Sequence, residues 1–169
     1  MQQVRANASH LADKLVEKGM TIASGGTTNH LLLWDLKPQG VTGSKMEKLC
    51  DRCNITLNKN TVQGDRSAIT PGGVRIGTCP FTTRKSNEAD WDIIAEFLVR
   101  ALNLCVELQK TTGPKLKDFV AALGDSAECE QLRKDVNDFC TTFPMPGFDP
   151  KEMVYQVRLL VASLQCLLD

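Results

Sequence analysis

The feature that most limits how this chain can fold is a change of hydrophobic period at Asn87. Upstream, two helical stretches are interleaved with short apolar runs of strand length: residues 30–36 (HLLLWDL), 55–58 and 73–79, separated by Gly, Pro and polar loops. Downstream, only the helical period is found. A few strands in one half and helices in the other predict an α+β domain, a small, mostly antiparallel sheet with helices packed on one face. Strand and helix alternate too poorly for a doubly wound parallel sheet.

Local signals fill in the elements. Val4, Ala8, Leu11, Ala12 and Leu15 recur at helical spacing until Gly19. A strand over residues 21–24 precedes the turn Gly25-Gly26, and Thr42 is placed to cap a helix over residues 43–52. Asn87 caps a long helix whose first turn carries Glu88, Asp90 and Asp92, which suits the macrodipole. Its apolar stripe is Trp91, Ile94, Ala95, Leu98, Leu102 and Cys105, and Gly113-Pro114 breaks it. Pro114 is expected to open a short helix that Gly124 ends. Asp125 or Ser126 then starts a helix with Cys129, Leu132, Val136, Phe139, Cys140 and Phe143 turned inward. Asp149, Pro150 and Glu152 read as the start of a last helix carrying Val154, Val157, Val161, Leu164 and Leu168.

Twenty basic and twenty acidic residues cancel, which argues against an obligate nucleic-acid binder. Seven scattered cysteines fit a reducing compartment better than a disulfide framework. No secretory leader and no apolar run of about 20 residues are visible. A chain that opens directly on a helical pattern is what a piece of a longer protein looks like.

Several residues bear on chemistry. Cys50 and Cys53 form a CxxC, but there is no second CxxC and only two histidines, so a structural reading is preferred to metal or redox. The stretch from Gly25 to His30, GGTTNH, lacks a GK[ST] ending and precedes a strand, the wrong setting for a phosphate loop. His30 has no nucleophile at a telling spacing and reads as a hydrogen-bonded structural histidine. Arg75 alternates with Val74 and Ile76 just after Pro71-Gly72-Gly73. It serves either as a two-pronged carboxylate ligand or in an internal salt bridge. Asn58-Lys59-Asn60 reads as a turn or as a set of groups able to read the polar edge of a flat heterocycle.

Taken together, GGTTNHLLLWDL, residues 42–78 (TGSKMEKLCDRCNITLNKNTVQGDRSAITPGGVRIGT), Thr82 to Arg84 and FPMPG at 143–147 resemble serine hydroxymethyltransferase. The likeness runs from Val4 to Gly147. It implies the C-terminal domain of a fold-type I pyridoxal-phosphate enzyme over residues 1–147, with 148–169 an additional helix of unknown role. The resemblance implies an activity that moves a one-carbon unit from serine to tetrahydrofolate, giving glycine and 5,10-methylenetetrahydrofolate. Arg75 would grip the amino-acid carboxylate. Asn60, with Lys59 beside it, would contact the folate ring; Arg84 and His30 would support the site. No metal is implied.

The chain departs from the family pattern at Thr28, where Asp is usual, at Cys79-Pro80-Phe81, where small residues are usual, at Lys85, where Gly is usual, and from Phe148 to Asp169, which matches nothing in the pattern. It also lacks the TTTTHK-type motif whose lysine holds the cofactor, and with it the rest of that domain. Pyridoxal phosphate and tetrahydrofolate are therefore expected in the parent enzyme and neither on this stretch alone, which is expected to be inactive. The expected partners are the N-terminal domain, serine or glycine, folate, and further copies in a homodimer or homotetramer; no membrane is expected. Cytoplasm is the expected compartment, with mitochondrion or plastid as alternatives. Two competing readings are a naturally short, non-catalytic binding or regulatory protein derived from this domain, and another pyridoxal-phosphate enzyme such as an aminotransferase.

Overall fold

The computed structural model describes residues 1–147 together with Asp149 and Glu152. The chain runs α1 (Gln2–Glu17), β1 (Thr21–Ile22), β2 (Leu31–Asp35), α2 (Gly43–Arg52), β3 (Asn58–Asn60), β4 (Gly73–Gly77), α3 (Cys79–Thr83), α4 (Glu88–Thr112), α5 (Leu116–Leu123) and α6 (Ala127–Thr141). The four strands form one antiparallel sheet in the order β1-β2-β4-β3. The α+β expectation is met. The last helix expected from Asp149 onward lies outside the described residues.

Strand alternation decides which side of the sheet the helices cover. Leu32 and Trp34 of β2 and Val74 and Ile76 of β4 are buried among Leu11, Leu15, Met46, Leu49, Leu98 and Leu102 of α1, α2 and α4. Burial of these side chains, each worth about 1.5–3 kcal/mol, ties the sheet to its helical layer. The other face has no helix on it among the described residues: Arg75 and Gly77 are exposed, and Leu31 and Leu33 only half-buried.

The caps follow the sequence. Thr42 accepts from the Lys45 N–H. Asn87 Oδ1 accepts from the Ala89 N–H at 3.0 Å, while Asp90 accepts from the Asn87 N–H at 2.8 Å. Ser126, not Asp125, caps α6. Lys45 is 2% exposed and has no carboxylate partner among the described residues; its Nζ donates to Gln109 Oε1 at 3.0 Å and to the Gly113 carbonyl at 2.8 Å. It thus closes the end of α4 on α2.

Four local expectations shift. β3 lies at 58–60, because residues 53–55 are spent ending α2: Asn54 takes φ 59° and the Ile55 N–H returns to the Cys50 carbonyl. β4 stops at Gly77. Thr78 turns the chain by donating its hydroxyl to the Val4 and His30 carbonyls, and Pro80 opens α3, a helix the strand pattern masked. β1 ends at Ile22, after which Ala23–Gly25 forms a 3-10 turn. Pro114 lies outside α5, whose cap position is Lys115.

Candidate functional site

The register around β4 builds the site. Arg75 stands opposite Leu33 of β2 and opposite Asn58 of β3. Directly paired residues share a face, so Leu33, Arg75 and Asn58 form one row across the uncovered side. One step along, Asn60 pairs with Gly73 on the same side. Directly opposite positions are about 5 Å apart and diagonal ones about 7–8 Å, so the Arg75 guanidinium and the two amides can reach one flat ligand. No acidic side chain pairs with Arg75 among the described residues; the internal salt bridge that would have explained it away is not formed. An exposed guanidinium on a rigid strand keeps its two-pronged geometry available to a carboxylate.

The loop from β3 to β4 is folded around one carboxylate. Asp65 Oδ2 accepts from the Val62 N–H at 3.0 Å and from the Gly72 N–H at 2.8 Å, joining both ends of the loop. These bonds, Gly72 first, hold its carboxyl below the ordinary value, with Lys37 adding a smaller pull in the same direction. Gly72 has no room for a side chain, since a Cβ there would lie 2.6 Å from Asp65 Oδ1. The sequence held the GDRSA stretch but gave no reason to single out Asp65, whose partners lie at both ends of its loop.

The remaining expected site residues are dispersed. Lys59 lies on the helix side of β3, not beside Asn60. Its N–H donates to Glu47 Oε1 at 3.0 Å and its Nζ stands 3.9 Å from Glu47 Oε2. Alternation along β3 separates these neighbours in sequence. Asn60 turns its amide to the Thr61 carbonyl at 2.7 Å, a contact a ring ligand would have to replace.

Arg84 is also on the helix side. It donates to the carbonyls of Cys140 at 2.6 Å, Phe143 at 3.0 Å and Pro144 at 3.2 Å, and lies over the Phe81 ring. It thereby anchors the end of α6 and the FPMPG stretch beside a cavity of about 310 Å³ lined by Phe81, Trp91, Phe97 and Phe139 among others. His30 differs from the hydrogen-bonded histidine expected. Its ring is exposed without a bond among the described residues, and only its carbonyl is used, by Thr78.

The GGTTNH stretch is a closed turn. Gly25 has φ 73°, Asn29 Oδ1 accepts from the Leu31 N–H, and Thr28 contributes its carbonyl to Arg5. Lys85 has φ 70°, a left-handed conformation that favours glycine. Cys50 and Cys53 are buried, and no group of three or more metal-ligating side chains is placed to hold an ion among the described residues.

The model of the family described as serine hydroxymethyltransferase matches residues 1–98. Serine hydroxymethyltransferase 4 of Arabidopsis thaliana is 52% identical over 155 residues, covering 92% of this chain and 33% of the relative. Serine hydroxymethyltransferase of Bombyx mori is 43% identical over 152 residues, covering 88% and 33%. The cytosolic serine hydroxymethyltransferase of Neurospora crassa is 44% identical over 150 residues, covering 86% and 31%. The chain spans about a third of the length of these curated relatives. It belongs to the serine hydroxymethyltransferase family.

Proposed function

We propose that this chain supplies the substrate-carboxylate and folate contacts of a pyridoxal-phosphate-dependent serine hydroxymethyltransferase. That enzyme passes a one-carbon unit from serine to tetrahydrofolate, leaving glycine and 5,10-methylenetetrahydrofolate. The observation that carries the reading is Arg75: a guanidinium without an acidic partner among the described residues, on the sheet face that none of the described helices covers, in a row with Leu33 and Asn58 and one step from Asn60. Arg75 holds the carboxylate of serine or glycine with two parallel bonds. Asn60 offers an amide donor and acceptor to the polar edge of the folate ring. Lys59, ion-paired with Glu47 on the other side, has no part in folate contact, and Arg84 and His30 act at most on the shape of the surroundings.

The residues present do not fit pyridoxal phosphate itself. Lys59 is turned to the helix side and ion-paired with Glu47, and Lys37 is engaged with Asp35, Asp65 and the Gln63 carbonyl, so neither offers a free amine to an aldehyde on the open face. The cofactor-holding groups come from an N-terminal domain that packs on the uncovered face. Residues 1–147 form the C-terminal domain, which by itself is inactive. The whole enzyme is a homodimer or homotetramer and works in the cytoplasm.

The test is a chimera in which residues 1–147 replace the matching third of the Arabidopsis relative. Arg75→Lys keeps the charge but loses the fork, and should lower kcat/KM for serine by two orders of magnitude or more, as about 3 kcal/mol of charged hydrogen bonding implies. Asn60→Ala should raise KM for folate and spare serine. Unchanged kcat/KM for serine in Arg75→Lys would sink the carboxylate assignment. Equal losses for both substrates in Asn60→Ala would make Asn60 structural.

A further inference from the structure

Helix α2 ends and helix α6 begins on a pair of thiols. Cys53 occupies the C-terminal cap of α2, and Cys129 is the third residue after the cap Ser126 in α6. Both are 0% exposed. Cys53 Sγ lies 3.6 Å from the Cys129 carbonyl oxygen, so the two cysteines are in direct contact across the end of α2 and the start of α6.

Their surroundings treat the two sulfurs differently. Cys129 stands at the positive end of α6, where its N–H donates to Ser126 Oγ at 3.3 Å. The hydrogen bond from Cys53 holds the Cys129 thiol below its ordinary value, against the effect of burial, with Ser126 and then the Arg52 guanidinium helping. The same bond and burial push Cys53 up. Burial also pushes up Cys50 and Cys105 in the same core. Of these four buried thiols, Cys53 and Cys129 are the two joined by a direct contact, and Cys129 is the one standing in the first turn of a helix, where the N-terminal N–H groups favour a thiolate.

We propose that Cys53 and Cys129 close a reversible disulfide across the contact of α2 and α6, formed by a small peroxide and reopened by a dithiol. The Cys129 thiolate attacks one peroxide oxygen and the O–O bond breaks, leaving a sulfenic acid and a hydroxide that takes up a proton to become water. The Cys53 sulfur then attacks the Cys129 sulfur. The S–S bond forms, the S–O bond breaks, and hydroxide leaves as a second water with the Cys53 proton. Two thiols and one peroxide thus give one disulfide and two waters.

Burial slows this reaction without forbidding it, because the pair lies just beneath two surface contacts. The Arg52–Glu130 ion pair and the bond from Asn54 Nδ2 to Asn137 Oδ1 at 2.9 Å join α2 and its cap to α6. Local opening of these contacts admits an uncharged peroxide.

The experiment treats the folded 169-residue protein with hydrogen peroxide, alkylates the remaining thiols and digests with trypsin without reduction. Cys53 and Cys129 fall alone in tryptic peptides 53–59 and 118–133. The expected product is these two peptides joined, lighter by two hydrogens and separated again by dithiothreitol. Tm of the oxidised protein should rise by several degrees. Cys53→Ser should leave Cys129 as a sulfenic acid that dimedone traps, and Cys129→Ser should abolish both the link and the trapping. The proposal is overturned if the folded wild-type protein gives no such link, if peptide 49–52 is joined to 53–59 instead, or if the link forms only in denaturant. The wild-type mapping decides even where a serine variant fails to fold.

Discussion

Gly43→Ala sets helix propensity against packing, and the structure says which wins. Gly43 opens α2, and its N–H donates to the Pro71 carbonyl at 2.7 Å. Local reasoning favours alanine: it gains up to about 1 kcal/mol in helix propensity, and stiffening the unfolded chain contributes in the same direction. In the folded protein an alanine Cβ would lie 2.1 Å from the Gly73 carbonyl oxygen and 3.2 Å from the Pro71 oxygen. Carbon and oxygen need about 3.3 Å even in a close contact, so helix and strand must part by about 1 Å. Neither obstacle is a flexible side chain. Gly73 is held in the ladder opposite Asp35 and Asn60, and a Cβ on Gly73 would itself meet the Trp34 carbonyl at 2.6 Å. Overpacking costs about 1–3 kcal/mol, and loss of the Gly43–Pro71 bond adds about 1 kcal/mol. Net destabilisation is therefore about 1–3 kcal/mol after the propensity gain, a fall in Tm of roughly 4–8 °C at the middle of that range for a chain of this size. Thermal unfolding followed by circular dichroism on wild type and variant measures it. An unchanged or raised Tm would show that α2 can move away from β4 freely, and that the close approach does not fix the strand carrying Arg75.

Three further outcomes follow from the geometry. The Asp65 carboxyl is held below its ordinary value in the folded state, so the stability it contributes is present above about pH 4 and is lost as pH falls through its folded value; Asp65→Asn should lower the urea midpoint at pH 7 and flatten the acid side of the stability curve, and an unchanged acid limb would refute this. Lys85→Gly should stabilise by about 1 kcal/mol by relieving a left-handed lysine at φ 70°, read as a higher urea midpoint at unchanged m; a lower midpoint would show that the lysine side chain holds the turn. Arg84→Ala should loosen the end of α6, with faster amide exchange around Phe139 and Phe143 and little change at Arg75, since its bonds are to carbonyls on the helix side; an equal change at Arg75 would contradict the separation of the two faces.

The sequence by itself determined most of what is local. Thr42, Asn87 with Asp90, and Ser126 cap helices because their side-chain oxygens bond N–H groups only two or three residues away, and Gly19 ends α1 with φ 79°. The apolar stripes of α1, α4 and α6 became core, and the motif series around Arg75 was enough to indicate the family. It could not decide which neighbours share a face. A shift of one residue in register reverses every side chain of a strand. Only the pairing of Asn58 with Arg75 put Asn60 on the open side and sent Lys59 to Glu47. Arg84 and Arg75 are nine positions apart in sequence, yet the turn at Thr78 and the hidden helix α3 carry them to opposite sides of the sheet. Cys53 and Cys129 meet only because α2 and α6 pack together. Capping and periodicity act within a turn or two of chain, whereas a partner for a guanidinium or a thiol comes from any element that folding brings beside it, and that was decided by the tertiary structure alone.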